Sequence, residues 1–298
     1  NMTLTELKFI IAVAQERNFR RAADLCFVTQ PALSLGIKKL EQELGISIFE
    51  RNRTDVQLTV VGKKIVEQAM KVLDEAVNIK LIAQQGNDQL KGPIRIGIIH
   101  SVAPYLLPDI IPVLRESAPE MPLDVEENIT ENLANQLKTG IIDVAILALP
   151  FDAPNIRSHV LYDEKFDVIV PSHHPWAKRK RIKPEELASE KVLLLNSGHC
   201  FSNQVTLACP ELMRKGLVLQ GNSLETIRHM VASNLGISVL PYSATQARYS
   251  NPWITSIPFA PPAPSRRIAI VWRNSFTRQQ GIDKVIEAIK SVAHIATK

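Results

Sequence analysis

No stretch of eighteen consecutive apolar residues occurs in these 298 residues, so no membrane-spanning helix is expected. The N-terminal segment lacks a basic region followed by an apolar core, so export is not expected and a cytoplasmic location is. Asn1 ahead of Met2 reads as a residue left over from expression. Cysteine is scarce. Cys26, Cys200 and Cys209 are the only three, too few for a disulfide scaffold in a chain of this length. Their spacing is not that of a Cys-x-x-Cys metal pair, and no second Cys/His pair lies nearby, so neither metal nor cofactor is expected. His173-His174, directly ahead of Pro175, reads as a surface turn. Charge of one sign is scarce too. The net charge is +5, but residues 1–88 hold 12 Lys and Arg against 11 Asp and Glu, a net of +1. Bulk charge is therefore a weak argument for a polyanionic partner, and any such argument must come from placement.

What is present is apolar content of 45%, ordinary for a globular protein, in a length that predicts two or three domains. Thr3-Leu4-Thr5-Glu6 has capping-box spacing and opens a helix with Leu4, Leu7, Ile10, Ile11 and Ala14 inward. Asn18-Phe19 ends it, and a short helix runs through Arg20-Arg21-Ala22-Ala23-Asp24-Leu25. Thr29 caps a third helix with Pro31 in its first turn. There Leu33, Ile37, Leu40 and Leu44 face the core and Gly45 suits the C-terminal cap. The opposite face carries Gln30, Ala32, Ser34, Leu35, Lys38 and Lys39, groups suited to base edges and phosphates. Read on charge alone, Lys38-Lys39 is equally a solvated helix face. Ile48 to Leu58 reads as a hairpin with Asn52-Arg53-Thr54-Asp55 at its tip, projecting Arg51 and Arg53 toward a backbone.

From Thr59 to about Gln85-Gly86 a long helix is expected. Ile65, Ala69, Val72, Ala76, Ile79 and Ala83 recur at spacings of four and three, the seam of a two-helix packing. Val66, Met70, Leu73 and Val77 widen the face. A dimerisation helix is the preferred reading, and packing on its own domain the other. Residues 87–92 read as a hinge. Beyond it strands and helices alternate. Strands are expected at Ile94–Ile99, Leu123–Glu126, Asp143–Leu147, Val168–Val170, Val192–Leu195, Val218–Leu219, Ile237–Leu240 and Arg267–Trp272. Helices are expected from about Tyr105, Glu131, Ser223 and Arg278. That order predicts parallel sheet. Pro261-Pro262-Ala263-Pro264 reads as a rigid connector.

Asn196 to Cys209 reads as a loop leaving a buried strand, where α/β proteins place their sites. It holds two of the three cysteines, with His199 before the first and Asn203 and Gln204 after it. A thiolate there can attack peroxide, and a second thiol can condense with the sulfenic acid. Spacing alone leaves two readings open, a redox pair or two buried structural thiols. Cys26 reads as a thiol packed as a small hydrophobe.

The in-register set Phe19, Arg20-Arg21-Ala22-Ala23, Thr29-Gln30-Pro31-Ala32-Leu33-Ser34, Leu40-Glu41, Leu44-Gly45, Phe49-Glu50-Arg51 and Leu58-Thr59-Val60-Val61-Gly62 resembles the winged helix-turn-helix of LysR-type transcriptional regulators. Gly198-His199-Cys200 with Cys209, Ser223-Leu224-Glu225-Thr226, Gly236-Ile237 and the run Gly97 to Pro108 are similar to the peroxide-sensing branch of that family. The resemblance spans the first helix to the last. It implies an N-terminal all-α winged helix-turn-helix domain (1–60), a linker and dimerisation helix with hinge (61–92), and an α/β effector domain (93–298). The effector domain would have two periplasmic-binding-protein-like subdomains, about 93–163 with 267–298, and about 164–266. It further implies DNA contacts from Arg20, Arg21, Gln30, Pro31, Ser34, Lys38, Lys39, Arg51 and Arg53. Cys200 would be peroxidatic and Cys209 resolving, with Ser101, Thr130, His199 and Arg267 forming the peroxide pocket. Ser101 departs from the family's usual Thr, which keeps the hydroxyl but adds rotamer freedom. The implied partners are promoter DNA, a second copy of the chain (a dimer through the linker helix, assembling to a tetramer), RNA polymerase, and hydrogen peroxide as signal. Three competitors stand beside this: a regulator binding a small metabolite in the cleft, a thiol peroxidase, and a periplasmic binding protein. The last two leave the helix-turn-helix segment without a use.

Overall fold

The computed structural model describes all residues except 52–54, 87, 197–198, 211, 213–216 and 297–298. It also leaves aside the side chains of residues 51, 81, 84–85, 217–218, 293 and 296. The chain divides into two compact units, Asn1–Asp88 with Lys138–Ile141, and Gln89–Leu137 with Ile142–Lys298.

In the first unit, α1 (Leu4–Glu16) begins with the expected capping box, and the Thr3 hydroxyl and Glu6 carboxylate satisfy each other's backbone N–H. Asn18 caps α2 (Phe19–Leu25) and Thr29 caps α3 (Gln30–Leu44), each cap contributing about 1 kcal/mol. Gly45 closes α3 at φ 68°, a left-handed turn that suits glycine. Leu33, Ile37 and Leu40 are buried against Leu7, Ile10 and Val13. Leu44 is exposed instead, because the last turn of α3 runs past the edge of this small core. The wing is β1 (Phe49–Arg51) paired antiparallel with β2 (Val56–Leu58). Thr59 then caps α4 (Val60–Gln85). Gly62 lies against the wing so closely that a Cβ would meet the Ile48 carbonyl oxygen at 2.0 Å. The first half of α4 packs on its own domain through Val66 and Ala69, with Ile65, Met70, Val72 and Leu73 beside them. The apolar stripe continues outward, where Val77, Ile79 and Ile82 are exposed.

In the second unit, β3 (Ile94–Ile98) lies parallel to β4 (Leu123–Glu127) and β5 (Val144–Leu149). Helices α5 (Ala103–Ser117) and α6 (Thr130–Lys138) make the crossovers. β6 runs sixteen residues, Ile156–Pro171. β7 (Lys191–Leu195), β8 (Leu217–Gly221) and β9 (Ile237–Pro241) are parallel, with α7 (Cys200–Ala208) and α8 (Leu224–Ala232) between them. β10 (Ile254–Pro258) and β11 (Ser265–Arg273) precede α9 (Gln279–Lys290) and α10 (Ala293–Ala296). The sheet order is β4-β3-β5-β11-β6-β9-β7-β8, with β10 on β6.

Three expectations are corrected here. The sheet is mixed, because β11 runs antiparallel to both β5 and β6, and β6 antiparallel to β9 and β10. β6 begins twelve residues before Val168; its first half is mostly polar at the surface, and its one apolar run, Val160-Leu161-Tyr162, is only three residues long. The cysteine stretch is not a loop, since Cys200 to Ala208 are helical. Two cores result. One lies under α5, α6 and α9, and the other under α7 and α8.

Candidate functional site

Cys200 is the first residue of α7. Its thiol therefore sits at a helix N-terminus, beside backbone N–H groups that have no partner within the helix. Thr130, the first residue of α6, donates its hydroxyl to Sγ at 3.6 Å. His100, Ser101, Asn128, Thr130, His199 and Cys200 line a small cavity with room for about one water-sized molecule. The His199 ring stands 5.0 Å from that of His100. Burial, and then the charge of His100, hold the His199 pKa below its ordinary value, so His199 enters the pocket as a neutral imidazole near pH 7.

The hydroxyl of buried Ser101 is held from behind. Arg266 Nη1 donates to its Oγ at 2.5 Å and Nη2 to its carbonyl at 3.1 Å. Arg266 also donates Nε and Nη2 to Glu164 Oε1 at 3.0 and 2.8 Å. The Ser243 N–H donates to the other Glu164 oxygen at 3.0 Å. Both charged side chains are buried, with 0% and 3% of their surface exposed. The guanidinium lies 5.1 Å over the ring of Phe201, the neighbour of Cys200. Arg267, the arginine expected in the pocket, is not there. It is exposed and bidentate to Asp163 at 2.8 and 3.2 Å. Adjacent strand residues face opposite sides, and the register pairs Arg266 with Glu164 and Arg267 with Asp163. Ser101, Thr130 and His199 are thus brought to the cavity beside Cys200; Arg267 is not, and the arginine that reaches this region is Arg266, which holds Ser101 from behind. The sequence reading also missed His100, Asn128 and Glu164. Only the pairing of an Arg-Arg with an Asp-Glu across one antiparallel register could have separated the two arginines.

Cys209 ends α7 and is buried in the second core. Burial, and then the Glu185 carboxylate, push its thiol up to about 11. Nine helical steps separate the two cysteines, about 13 Å between Cα atoms. A disulfide needs about 4.4–6.8 Å. Joining them requires α7 to unwind.

On the first unit, Gln30, Pro31, Lys38 and Lys39 are exposed along α3, Ser34 is half-buried, and Arg20 and Arg21 are exposed on α2. Arg21 is engaged with Glu16, donating to its carbonyl at 2.8 Å. Lys39 pairs with buried Glu6 at 3.3 Å. Arg20 and Lys38 are the cations of this face without a carboxylate partner among the described residues. Arg53 and the side chain of Arg51 lie outside the described residues.

Comparison with known families agrees with this division of labour. Residues 4–63 match the bacterial regulatory helix-turn-helix protein model of the lysR family, and residues 87–293 match the LysR substrate binding domain. The chain belongs to the LysR family of DNA-binding transcriptional regulators, with a periplasmic-binding-protein-like effector domain, and within that family to the OxyR group. It is 37% identical over 291 residues to the DNA-binding transcriptional dual regulator OxyR of Escherichia coli K12, covering 97% of this chain and 95% of that one. It is 39% identical over 273 residues to a hydrogen peroxide-inducible genes activator of Pectobacterium carotovorum, covering 91% and 90%. Among solved structures, full-length OxyR from Pseudomonas aeruginosa with a cysteine-to-aspartate substitution aligns at TM-score 0.81. It is 46% identical, with 99% and 97% of the two chains covered. A cysteine mutant of Corynebacterium glutamicum OxyR bound to H2O2 aligns at TM-score 0.65, with 31% identity over 97% and 92%. Among the described residues no helix is long and apolar enough to cross a membrane.

Proposed function

We propose that the chain is a cytoplasmic, promoter-binding regulator of oxidative-stress genes, switched by oxidation of Cys200 and formation of a Cys200–Cys209 disulfide. The observation that carries this reading is the thiol of Cys200, at a helix N-terminus and on a cavity of about one water's size, with the Thr130 hydroxyl at 3.6 Å. A cavity that small suits hydrogen peroxide and not a metabolite. The Cys200 thiolate attacks one peroxide oxygen, the O–O bond breaks, and the second oxygen leaves as water once protonated. The Cys209 thiol then attacks the Cys200 sulfenic acid and releases a second water. One peroxide is reduced and two thiols are oxidised, so each cycle consumes the sensor's own thiols. Turnover would need an external reductant.

Disulfide formation dismantles α7, which separates the Phe201 ring from Arg266 and from Phe166, 5.0 Å away in the second core. Repacking of the effector domain follows from that loss. The exposed Val77, Ile79 and Ile82 of α4 support dimerisation through the linker helix, and a pair of such dimers gives the tetramer that would carry two α3 pairs onto promoter DNA. RNA polymerase is the partner that transcriptional activation must reach. Gln30, Pro31 and Ser34 would meet bases, with Arg20, Arg21, Lys38, Lys39, Arg51 and Arg53 near phosphates.

The test is thiol counting with peptide mapping before and after near-stoichiometric peroxide, alongside a DNA footprint. The reading expects two thiols lost, a Cys200–Cys209 linked peptide, Cys26 still free, and a footprint change absent in Cys200→Ser. Three thiols still free after peroxide would overturn it.

A further inference from the structure

Attack on a peroxide leaves one unmet need. The departing oxygen leaves as hydroxide, a poor leaving group unless a proton reaches it as the O–O bond breaks. Thr130 and Ser101 can donate hydrogen bonds but cannot surrender a proton at neutral pH. His199 cannot supply it either, being held neutral by burial and by the charge of its neighbour. Among the described residues, the remaining ionisable group on the cavity wall is His100. Its Nδ1 is 2.6 Å from Glu127 Oε1, so the carboxylate fixes the ring and leaves Nε2 as the nitrogen that Glu127 does not engage.

We propose that His100, oriented by Glu127, is the proton donor to the departing oxygen when Cys200 reduces hydrogen peroxide. This rests on the reading of Cys200 as the peroxide-reactive thiol. In the step, the Cys200 thiolate gives an electron pair to the near oxygen, which keeps its hydrogen and becomes the sulfenic acid. The O–O bond breaks, and the far oxygen takes the Nε2 proton of the His100 imidazolium and leaves as water. Sulfur is oxidised by two electrons, peroxide is reduced by two, and His100 ends neutral.

The charged and titratable groups around His100 are consistent with that role. Glu127 from β4 supplies the counter-charge. From the segment entering α7, His199 is neutral and Cys200 is the anion that the step consumes. From β11, Arg266 is engaged by Glu164 and by Ser101, the residue after His100. Glu126, beside Glu127, is turned away onto Asn128 and Gln136. His100 is partly exposed, with 34% of its side chain accessible, so bulk water can return the proton after each event.

The test is the rate of Cys200 oxidation by hydrogen peroxide as a function of pH, by stopped flow, in the full-length protein and in His100→Gln and Glu127→Gln. The wild-type rate should fall toward high pH, along a limb that His100 supplies as the acid of the step. His100→Gln should be about 10- to 100-fold slower near neutral pH, at the low end of what a positioned acid gives because water can substitute, and its falling limb should be absent. Glu127→Gln, which alters a half-exposed surface carboxylate, should retain the limb but lower the rate, because the ring loses the partner that orients it, and it serves if His100→Gln fails to fold. An unchanged rate and profile in these variants would overturn the proposal. So would a uniform slowing with the profile intact, which would make His100 a packing residue. If wild-type Cys200 is not oxidised at all, the underlying peroxide reading fails with it, and that result is distinct from the other two.

Discussion

Because Cys200 and Cys209 stand at opposite ends of α7, the redox potential of the pair should report on the stability of that helix. Leu207 lies on α7 with 81% of its surface exposed, so replacing it disturbs little packing. Leu207→Gly should weaken the helix by about 0.8–1 kcal/mol relative to Leu207→Ala. On the proposed disulfide mechanism the reduced protein bears that loss, and an oxidised protein whose α7 must unwind to join the cysteines does not. Disulfide formation is then favoured about four- to fivefold, and the potential of the pair becomes more negative by about 15–20 mV. The assay is equilibration in graded dithiothreitol or glutathione buffers, with the linked peptide quantified after acid trapping. Leu207→Ala serves as the reference, since Leu and Ala differ little in helix propensity. If Gly and Ala at this position give potentials within about 5 mV of each other, a fraction of what the propensity difference requires, α7 survives oxidation. The geometric reasoning about the two cysteines would then be wrong.

Arg266→Met leaves Glu164 buried without its partner and should cost about 3–5 kcal/mol in urea unfolding, while Arg266→Met with Glu164→Leu should recover most of that loss; a single mutant within about 1 kcal/mol of wild type would contradict the burial seen here. Thr130→Val removes the hydroxyl donated to the sulfur at 3.6 Å and should slow Cys200 oxidation about tenfold, the value of one hydrogen bond to a charged acceptor, measured by peroxide titration under single-turnover conditions. With its thiol pushed up to about 11, Cys209 is almost wholly protonated at pH 8. Alkylation by iodoacetamide, followed by mass spectrometry, should leave it the slowest thiol and accelerate as pH approaches 11. Lys38→Ala should reduce the slope of log K for DNA against log salt by about 0.9. Lys39→Ala should additionally lower the melting temperature, because it strips the partner from buried Glu6, and equal thermal stability of the two variants would refute that distinction.

Local signals were the legible part of this molecule. The caps at Thr3, Thr29, Thr59 and Ser223 announce helices where helices occur, because a cap is chemistry between residues three apart. The stripe along α4 was visible too. Which half of it would meet its own domain was not, since that depends on where α1 lies. β10 and the first half of β6 went unseen, because those residues become strand through pairing with distant partners, and the short run Val160-Leu161-Tyr162 is too brief to mark a sixteen-residue strand. Arg266 and Arg267 show the same limit at the site. A pair of neighbouring arginines carries no mark of which one faces the sheet interior until Glu164 and Asp163 are placed opposite. The cysteine motif was identifiable by resemblance, but its helical conformation was not. Residues 200–209 have a weak apolar pattern, and their helix is fixed by Phe201 and Val205 entering the second core.

β6 has a further meaning for how the effector domain could be taken apart. Its first ten residues pair with β11, and its last six pair with β9 and β10. The same ribbon therefore belongs to both cores. Neither half could be excised as a self-sufficient module, because any cut that frees one strips a strand from the sheet of the other. Fragments ending within 156–171 should express as insoluble halves, and a shuffled protein that exchanges one lobe with a relative would have to carry β6 and β11 across as a single inseparable piece.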